Sequence, residues 1–194
     1  KLNKEAAVSA LTSYYKDKPL LPDSFTANNH IQEIQGVYVP FWLYSGVAAG
    51  DVVLNGRNIR TWSDRKNMYT ETDHYKLYRK GSMEFLRVPV DGSTKMPDAH
   101  MDAIEPFDYS EMVPFSVAYL PGYLAERYDL DVKECDSRAR GRVENTCASE
   151  VEATAGAGFM EVDVESVTAD VRWTDISYAL LPVWMLHTKW DGTD

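Results

Sequence analysis

The sequence predicts an α+β fold, an antiparallel sheet carrying one long helix and several short ones. Three observations lead there. Strand-like runs fill most of residues 31–90 and return after residue 159; turn signals (Asn55-Gly56, Lys80-Gly81-Ser82, Asp91-Gly92) punctuate the first block; and a long helical stripe separates the blocks. The order helix, strands, helices, strands is that of segregated rather than alternating elements.

Asn3 can cap a first helix to about Lys16, with Val8, Leu11 and Tyr15 on one side, and Pro19 and Pro22 end it. A loop rich in Asn and Thr leads into IQEIQGVYVPFWLYSG. VVLNGRNIRTW and YTETDHYKLYRKGSMEFLRVPV then read as a meander whose turns are the Asn-Gly and Lys-Gly-Ser signals. Pro97–Ile104 (PDAHMDAI) and Pro121–Tyr128 (PGYLAERY) read as short helices with proline near their starts. In DLDVKECDSRARGRVENTCASEVEATA, Asp131 and Glu134 form a capping box, and Val132, Cys135, Ala139, Val143, Cys147 and Val151 recur at helical spacing. FMEVDVESVTADVRW and DISYALLPVWMLHTKW read as two closing strands.

The run YVPFWLYSG, Tyr38 to Gly46, places Pro40 inside a strand that is apolar on both faces. Apolar faces on both sides demand cover on both, whereas proline belongs at an edge, a first residue or a bulge. Pro40 is therefore expected at a bulge or where the strand's pairing changes. LPVWMLHT, from Leu181, can be laid over VPFWLYSG, with Pro182 on Pro40 and Trp184 on Trp42. The echo suggests two related halves, 1–107 and 108–194, inside one compact domain. It also singles out Tyr38, Trp42, Tyr44 and Trp184 as walls of an aromatic groove for a protein partner or small ligand, against the competing reading that they are core.

Composition narrows the function classes. The hydrophobic fraction of 44% and aromatic fraction of 12% belong to a folded chain. Thirty Asp and Glu against twenty Lys and Arg give a net charge of -10, which repels phosphate backbones and anionic lipid and sets nucleic acid aside as a partner. No run of about 18 apolar residues and no signal-like N-terminus exists, so this segment is expected to be soluble. Opening on Lys1 and stopping after DGT, the chain reads as a piece of a longer protein. Cys135 and Cys147, twelve residues apart on one helix, are separated by about 18 Å, too far to bridge, and read as small core residues in a reducing compartment. His30, His74, His100 and His187 are scattered and no CxxC occurs, so neither metal nor cofactor is expected in this segment.

Three groups invite a catalytic reading. Asp91-Gly92-Ser93-Thr94-Lys95 brings a hydroxyl near a lysine but is first a turn signal. Glu105 and Asp108 could be an acid and base, yet carboxylates beside a proline more often cap a turn. Glu161, Asp163 and Glu165 share one strand face and read as a solvated face rather than a calcium site. No catalytic residue is assigned. Arg57, Arg60, Arg65 and Lys66 cluster around Trp62, and Arg138, Arg140 and Arg142 lie in the long helix; such clusters can meet bases or anionic headgroups, or pair with surface acids.

IQEIQGVYVPFWLYSG, YTETDHYKLYRKGSMEFLRVPVDGSTKM, IEPFDYSEMVPFSVAYLPGYLAERYDLD and YALLPVWMLHTKWDG, in this order, resemble the conserved portion of bacterial zinc-ribbon membrane proteins. The resemblance implies a middle region between an N-terminal TFIIB-type zinc ribbon and C-terminal membrane spans, on the cytoplasmic side, with zinc only in the ribbon absent here. A replication-restart helicase label sometimes attached to such proteins finds no support, since no GxxxxGK[ST] loop is present. The reading that follows is a non-catalytic interaction or sensory module, with an enzyme of unrecognised type or a plain spacer as alternatives.

Overall fold

The computed structural model describes residues 4–16 and 31–188. Asn3, Pro19, Pro22, His30 and the side chain of His187 lie outside the described residues. The elements are α1 (Lys4–Lys16), β1 (Ile31–Ser63), β2 (Met68–Asp91), α2 (Asp98–Ala103), β3 (Leu124–Ala125), α3 (Val132–Ala155) and β4 (Glu161–Thr188). One sheet takes the order β2-β1-β3, and β4 also pairs with β1.

The balanced α+β expectation is corrected. The molecule is dominated by an antiparallel sheet in which β1, β2 and β4 run for 33, 24 and 28 residues, and the helices are subordinate to it. Asn55-Gly56 lies inside β1 and Lys80-Gly81-Ser82 inside β2, and the two expected closing strands are one. The turn signals lose because cross-strand pairing continues through them. At Gly56, a Cβ would meet the Phe159 ring at 2.9 Å, so the glycine is there for a neighbouring aromatic, not for a turn. The actual reversal between β1 and β2 falls at residues 64–67, where the Asp64 N–H donates to the Asn67 carbonyl at 2.9 Å.

Two compact units divide the chain: Lys1–Phe41, Asp91–Asp129 and Leu180–Asp194 form the first, Trp42–Val90 and Leu130–Ala179 the second. Each draws on stretches from both halves of the sequence.

In the second unit β1 alternates as a half-buried strand should. Tyr44, Gly46, Ala48, Val52, Leu54 and Gly56 are buried, while Val47, Ala49, Asp51 and Arg57 are exposed. The covering element is α3, whose stripe of Cys135, Ala139, Val143, Cys147, Val151 and Ala155 packs on Tyr44, Ala48, Val52 and Leu54. The capping box that starts it is present: Glu134 N–H donates to Asp131 Oδ1 at 3.0 Å, and Asp131 N–H donates back to Glu134 Oε2 at 2.6 Å. On the same face of β1 the backbone of β4 comes very close. A Cβ at Gly46 would lie 2.3 Å from the Arg172 carbonyl oxygen, and one at Gly50 1.9 Å from that of Thr168.

In the first unit every residue from Val37 to Phe41 is buried. Pro40 sits where the pairing of β1 changes. Its carbonyl accepts from the Gly92 N–H at 2.8 Å, one residue after β2 ends, and two residues earlier the Tyr38 carbonyl accepts from the Glu126 N–H at 3.0 Å, beside β3. β3 runs parallel to β1, Val37 opposite Leu124 and Tyr38 opposite Ala125. In an extended strand a residue's N–H and C=O face the same edge, so the donor that proline lacks falls in the gap between β2 and β3. Pro121–Tyr128, expected as a helix, instead supplies β3. Gly122, at φ 83°, turns the chain, and the edge of β1 left open beyond Pro40 captures Leu124-Ala125. The expected short helix over Pro97–Ile104 is present as α2. Pro182 lies in β4, exposed, whereas Pro40 is wholly buried, so the two prolines of the echo occupy unlike environments.

Gly50→Ala should lower unfolding stability by about 1–3 kcal/mol because the Thr168 carbonyl must move aside. Gly81→Ala, which meets nothing within 4 Å, should change it by less than about 0.5 kcal/mol or raise it. Urea denaturation of the two variants checks the contrast.

Candidate functional site

The four aromatic candidates fall into two groups. In the first unit, the Tyr38 hydroxyl donates to the Tyr119 carbonyl at 3.2 Å, the Tyr38 ring lies 5.0 Å from Tyr123, and Tyr123 lies 5.3 Å from Trp184. Tyr123 thus bridges two of the four. In the second unit, Trp42 Nε1–H donates to the Leu130 carbonyl at 3.0 Å and its ring lies 5.2 Å from Tyr178. Tyr44 is fully buried, with its hydroxyl donating to the Val132 carbonyl at 2.7 Å and its ring 5.0 Å from Trp173. Burial, followed by the nearby Cys135 and acidic groups, pushes the Tyr44 phenol up in pKa, so it stays a neutral donor. The polar tips of Tyr38, Trp42 and Tyr44 are committed to backbone carbonyls.

Asp91–Lys95 forms a latch within the first unit. Asp91 and Ser93 are buried. The Ser93 hydroxyl donates to Glu126 Oε2 at 3.2 Å, the Lys95 ammonium lies 3.5 Å from Glu126 Oε1, and Asp129 N–H donates to the Gly92 carbonyl at 2.9 Å. The Thr94 N–H and hydroxyl donate to the two Asp129 carboxylate oxygens at 2.8 and 2.7 Å. Those bonds, the hydroxyl's first, hold the Asp129 carboxyl below its usual pKa. The network ties the chain leaving β2 to the chain leaving β3, and a fully buried Ser93 cannot meet a substrate.

The other carboxylates also have structural duties. Asp108 Oδ1 accepts from the Ser110 N–H and hydroxyl at 2.9 and 2.6 Å, capping the turn Tyr109–Glu111, which lowers its pKa. Glu161 pairs with Arg57, Asp163 accepts from Asn55 at 3.5 Å, and Glu165 pairs with Lys76 at 2.9 Å. Among the described residues no group of three or more His, Cys, Asp or Glu could hold a metal ion. The arginines of α3 are built in: Arg140 donates to Asp136 at 2.7 Å and to the Val171 carbonyl at 2.8 Å and lies over the Trp173 ring, and Arg142 donates to the Pro89 carbonyl at 2.8 Å. Cys135 and Cys147 form no disulfide and are buried, and burial raises the Cys147 thiol. An open cleft of about 360 Å³ at the end of α3 is lined by Ser149, Glu152, Phe159 and Met160 among others, without a converging catalytic set.

Two exposed apolar surfaces stand out, the first missed by the sequence reading and the second centred on Trp62, which that reading placed within a basic cluster. In the first unit Met112, Val113, Phe115, Val117, Leu124 and Tyr128 are exposed, with Phe115 at 64% and Val117 at 70%. In the second unit Trp62, Met68 and Tyr69 are exposed near the turn joining β1 and β2. The run MVPFSVAYL carries an apolar signal but lacks the polar alternation that marks a half-exposed strand, so sequence patterning cannot tell it from core.

No protein family profile matches the chain, and no solved structure matches it. The chain is similar to "Uncharacterized protein YdjG" of Bacillus subtilis (strain 168), 32% identical over 193 residues that cover all of this chain. It spans 56% of that relative's length. No helix among the described residues is long and apolar enough to cross a membrane.

Thr94→Val removes the hydroxyl that favours ionised Asp129. A carboxyl depressed on folding stabilises above its ordinary pKa and loses that contribution as pH falls through the depressed value. The variant should therefore be less stable than the parent at pH 7, with the difference shrinking towards pH 3, as thermal melts across that range would show. Tyr44→Phe should cost about 1 kcal/mol at neutral pH for the lost hydrogen bond, measured by urea denaturation.

Proposed function

We propose that this chain is a non-catalytic interaction module whose protein partner docks on the exposed apolar run from Met112 to Tyr128. The single observation that carries the reading is that run itself. Val113, Phe115 and Val117 present apolar side chains to solvent from an irregular segment, and monomeric proteins rarely leave contiguous apolar surface of that kind uncovered. The segment is anchored at both ends, by the Asp108 cap before it and by β3 after it, so it is presented in a fixed backbone shape. A preorganised apolar surface loses little entropy on binding.

The wider setting belongs to the same proposal. The resemblance to zinc-ribbon membrane proteins supports a module of a larger, membrane-anchored chain, facing the cytoplasm, with zinc confined to the ribbon. The reducing environment implied by two cysteines without a disulfide is compatible with that side of the membrane.

A photocrosslinking amino acid placed at Val113, Phe115 or Val117 of the full-length protein in its host cells tests the reading. A discrete adduct is expected from these positions and not from an exposed control at Glu150 on α3. The combined change Val113→Ser, Phe115→Ser and Val117→Ser should abolish it while leaving the melting temperature unchanged. Adducts no stronger than the control's would overturn the proposal.

A further inference from the structure

β1 and β2 continue past the elements that cover them. β4 begins at Glu161, just after Met160, whose N–H donates to the Arg57 carbonyl at 3.1 Å, and α3 ends at Ala155, packed with Val52 and Leu54. Beyond that level every residue from Arg60 to Thr72 is exposed. What projects is a two-stranded ribbon, which on its own is marginal in water.

The ribbon has local supports. Asp64 Oδ1 accepts from the N–H groups of Lys66 and Asn67, each at 2.7 Å, and Oδ2 accepts from the Tyr69 hydroxyl at 3.1 Å. These bonds, the Lys66 N–H first, depress the Asp64 carboxyl and keep it ionised inside the turn. The Trp62 and Tyr69 rings stack across the strands, 5.8 Å apart and 16° from parallel. Yet the tip leaves apolar surface in water: Trp62 is 51% and Met68 77% exposed. Arg60, Arg65 and Lys66 surround it, also exposed.

We infer that this tip docks onto a lipid surface bearing anionic headgroups. Three cations, Arg60, Arg65 and Lys66, outnumber the two carboxylates of the ribbon, Asp64 and Glu71, and the oxygens of Asp64 are turned to the ribbon's own donors. In a chain of net charge -10 that local excess is the complement of an anionic surface. Trp and Tyr rings sit at headgroup depth, Met68 can enter the acyl boundary, and neighbouring Lys and Arg meet the headgroups. The acidic residues at the ribbon's base, Glu161, Asp163 and Glu165, do not veto contact. Six residues from Asn58 to Asp64 reach about 20 Å, more than twice the Debye length of about 8 Å at physiological ionic strength. Nucleic acid fits less well, because backbone tracking needs a longer line of cations, and Glu71 and Asp73 follow directly on β2. The inference revises the expectation that this chain meets no membrane itself, and it is independent of the apolar run in the first unit.

Sedimentation of the 194-residue chain with vesicles of phosphatidylcholine and phosphatidylglycerol in equal parts, against phosphatidylcholine alone, is the test. Binding to the anionic vesicles only is expected, weakening about fivefold for each of Arg65→Gln and Lys66→Gln and further at 0.5 M salt. A blue shift of tryptophan emission on binding should disappear in Trp62→Phe, although four other tryptophans remain. These residues are exposed, so the variants should keep the parent circular dichroism spectrum. Absence of anionic-vesicle binding, equal binding by the charge variants, or binding instead to a single-stranded oligonucleotide through the same residues would each overturn the inference.

Discussion

The closeness of β4 to one face of β1 constrains the whole second unit. Where the Arg172 and Thr168 carbonyls come against that face, only glycine fits, and Gly46 and Gly50 occupy the two positions with Ala48 between them. Small residues there leave a shallow strip along β1. A helix can lie on such a strip only if its own seam is small, and the seam of α3, Cys135, Ala139, Val143, Cys147, Val151 and Ala155, holds no side chain larger than valine. Larger side chains return at the ends, Tyr44 on one side and Val52 and Leu54 on the other. The two cysteines thus have a volumetric role that asks nothing of their chemistry.

That constraint explains which parts of the fold could be seen in the sequence. The seam of α3 and its capping box are both local, 3.6-residue features, and both were legible. The length of the strands was not. Asn55-Gly56 is among the stronger hairpin signals in any sequence, yet here the glycine makes room for Phe159, more than a hundred residues downstream. A local rule cannot distinguish a glycine needed for φ from one needed for space. Pro40 was legible in part: its lack of a donor required a gap in the ladder, and the gap exists where β2 gives way to β3. What filled the gap was not legible, because Leu124-Ala125 is drawn in by an open strand edge rather than by its own propensity.

The candidate residues divide on the same line. Carboxylates and hydroxyls close in sequence, such as Asp108 with Ser110, were read as caps and are caps. Asp91–Lys95 was read as a turn with a catalytic alternative, and its partners Glu126 and Asp129, over thirty residues away, make it a latch. Tyr38, Trp42, Tyr44 and Trp184 were chosen for size and polarity. Three of them, Tyr38, Trp42 and Tyr44, donate to the Tyr119, Leu130 and Val132 carbonyls, 81 to 88 residues away, a pairing that no local periodicity reveals even where, as at Val132, the element itself is legible.

The tripeptide Val-Pro-Phe makes the remaining point. It occurs at Val39–Phe41, wholly buried in β1, and again at Val113–Phe115, where both apolar residues are more than half exposed. The tripeptide is identical and its neighbours are largely apolar, Trp42-Leu43 after the first and Ser116-Val117 after the second. The difference is that the first lies within the sheet, whereas the second belongs to a segment between a capped turn and β3 that pairs with no strand. Leaving a Val or Phe in water forgoes about 1.5–3 kcal/mol per side chain relative to burial. Several such side chains together represent a driving force that folding of this unit does not use, and that a complementary surface would recover on binding.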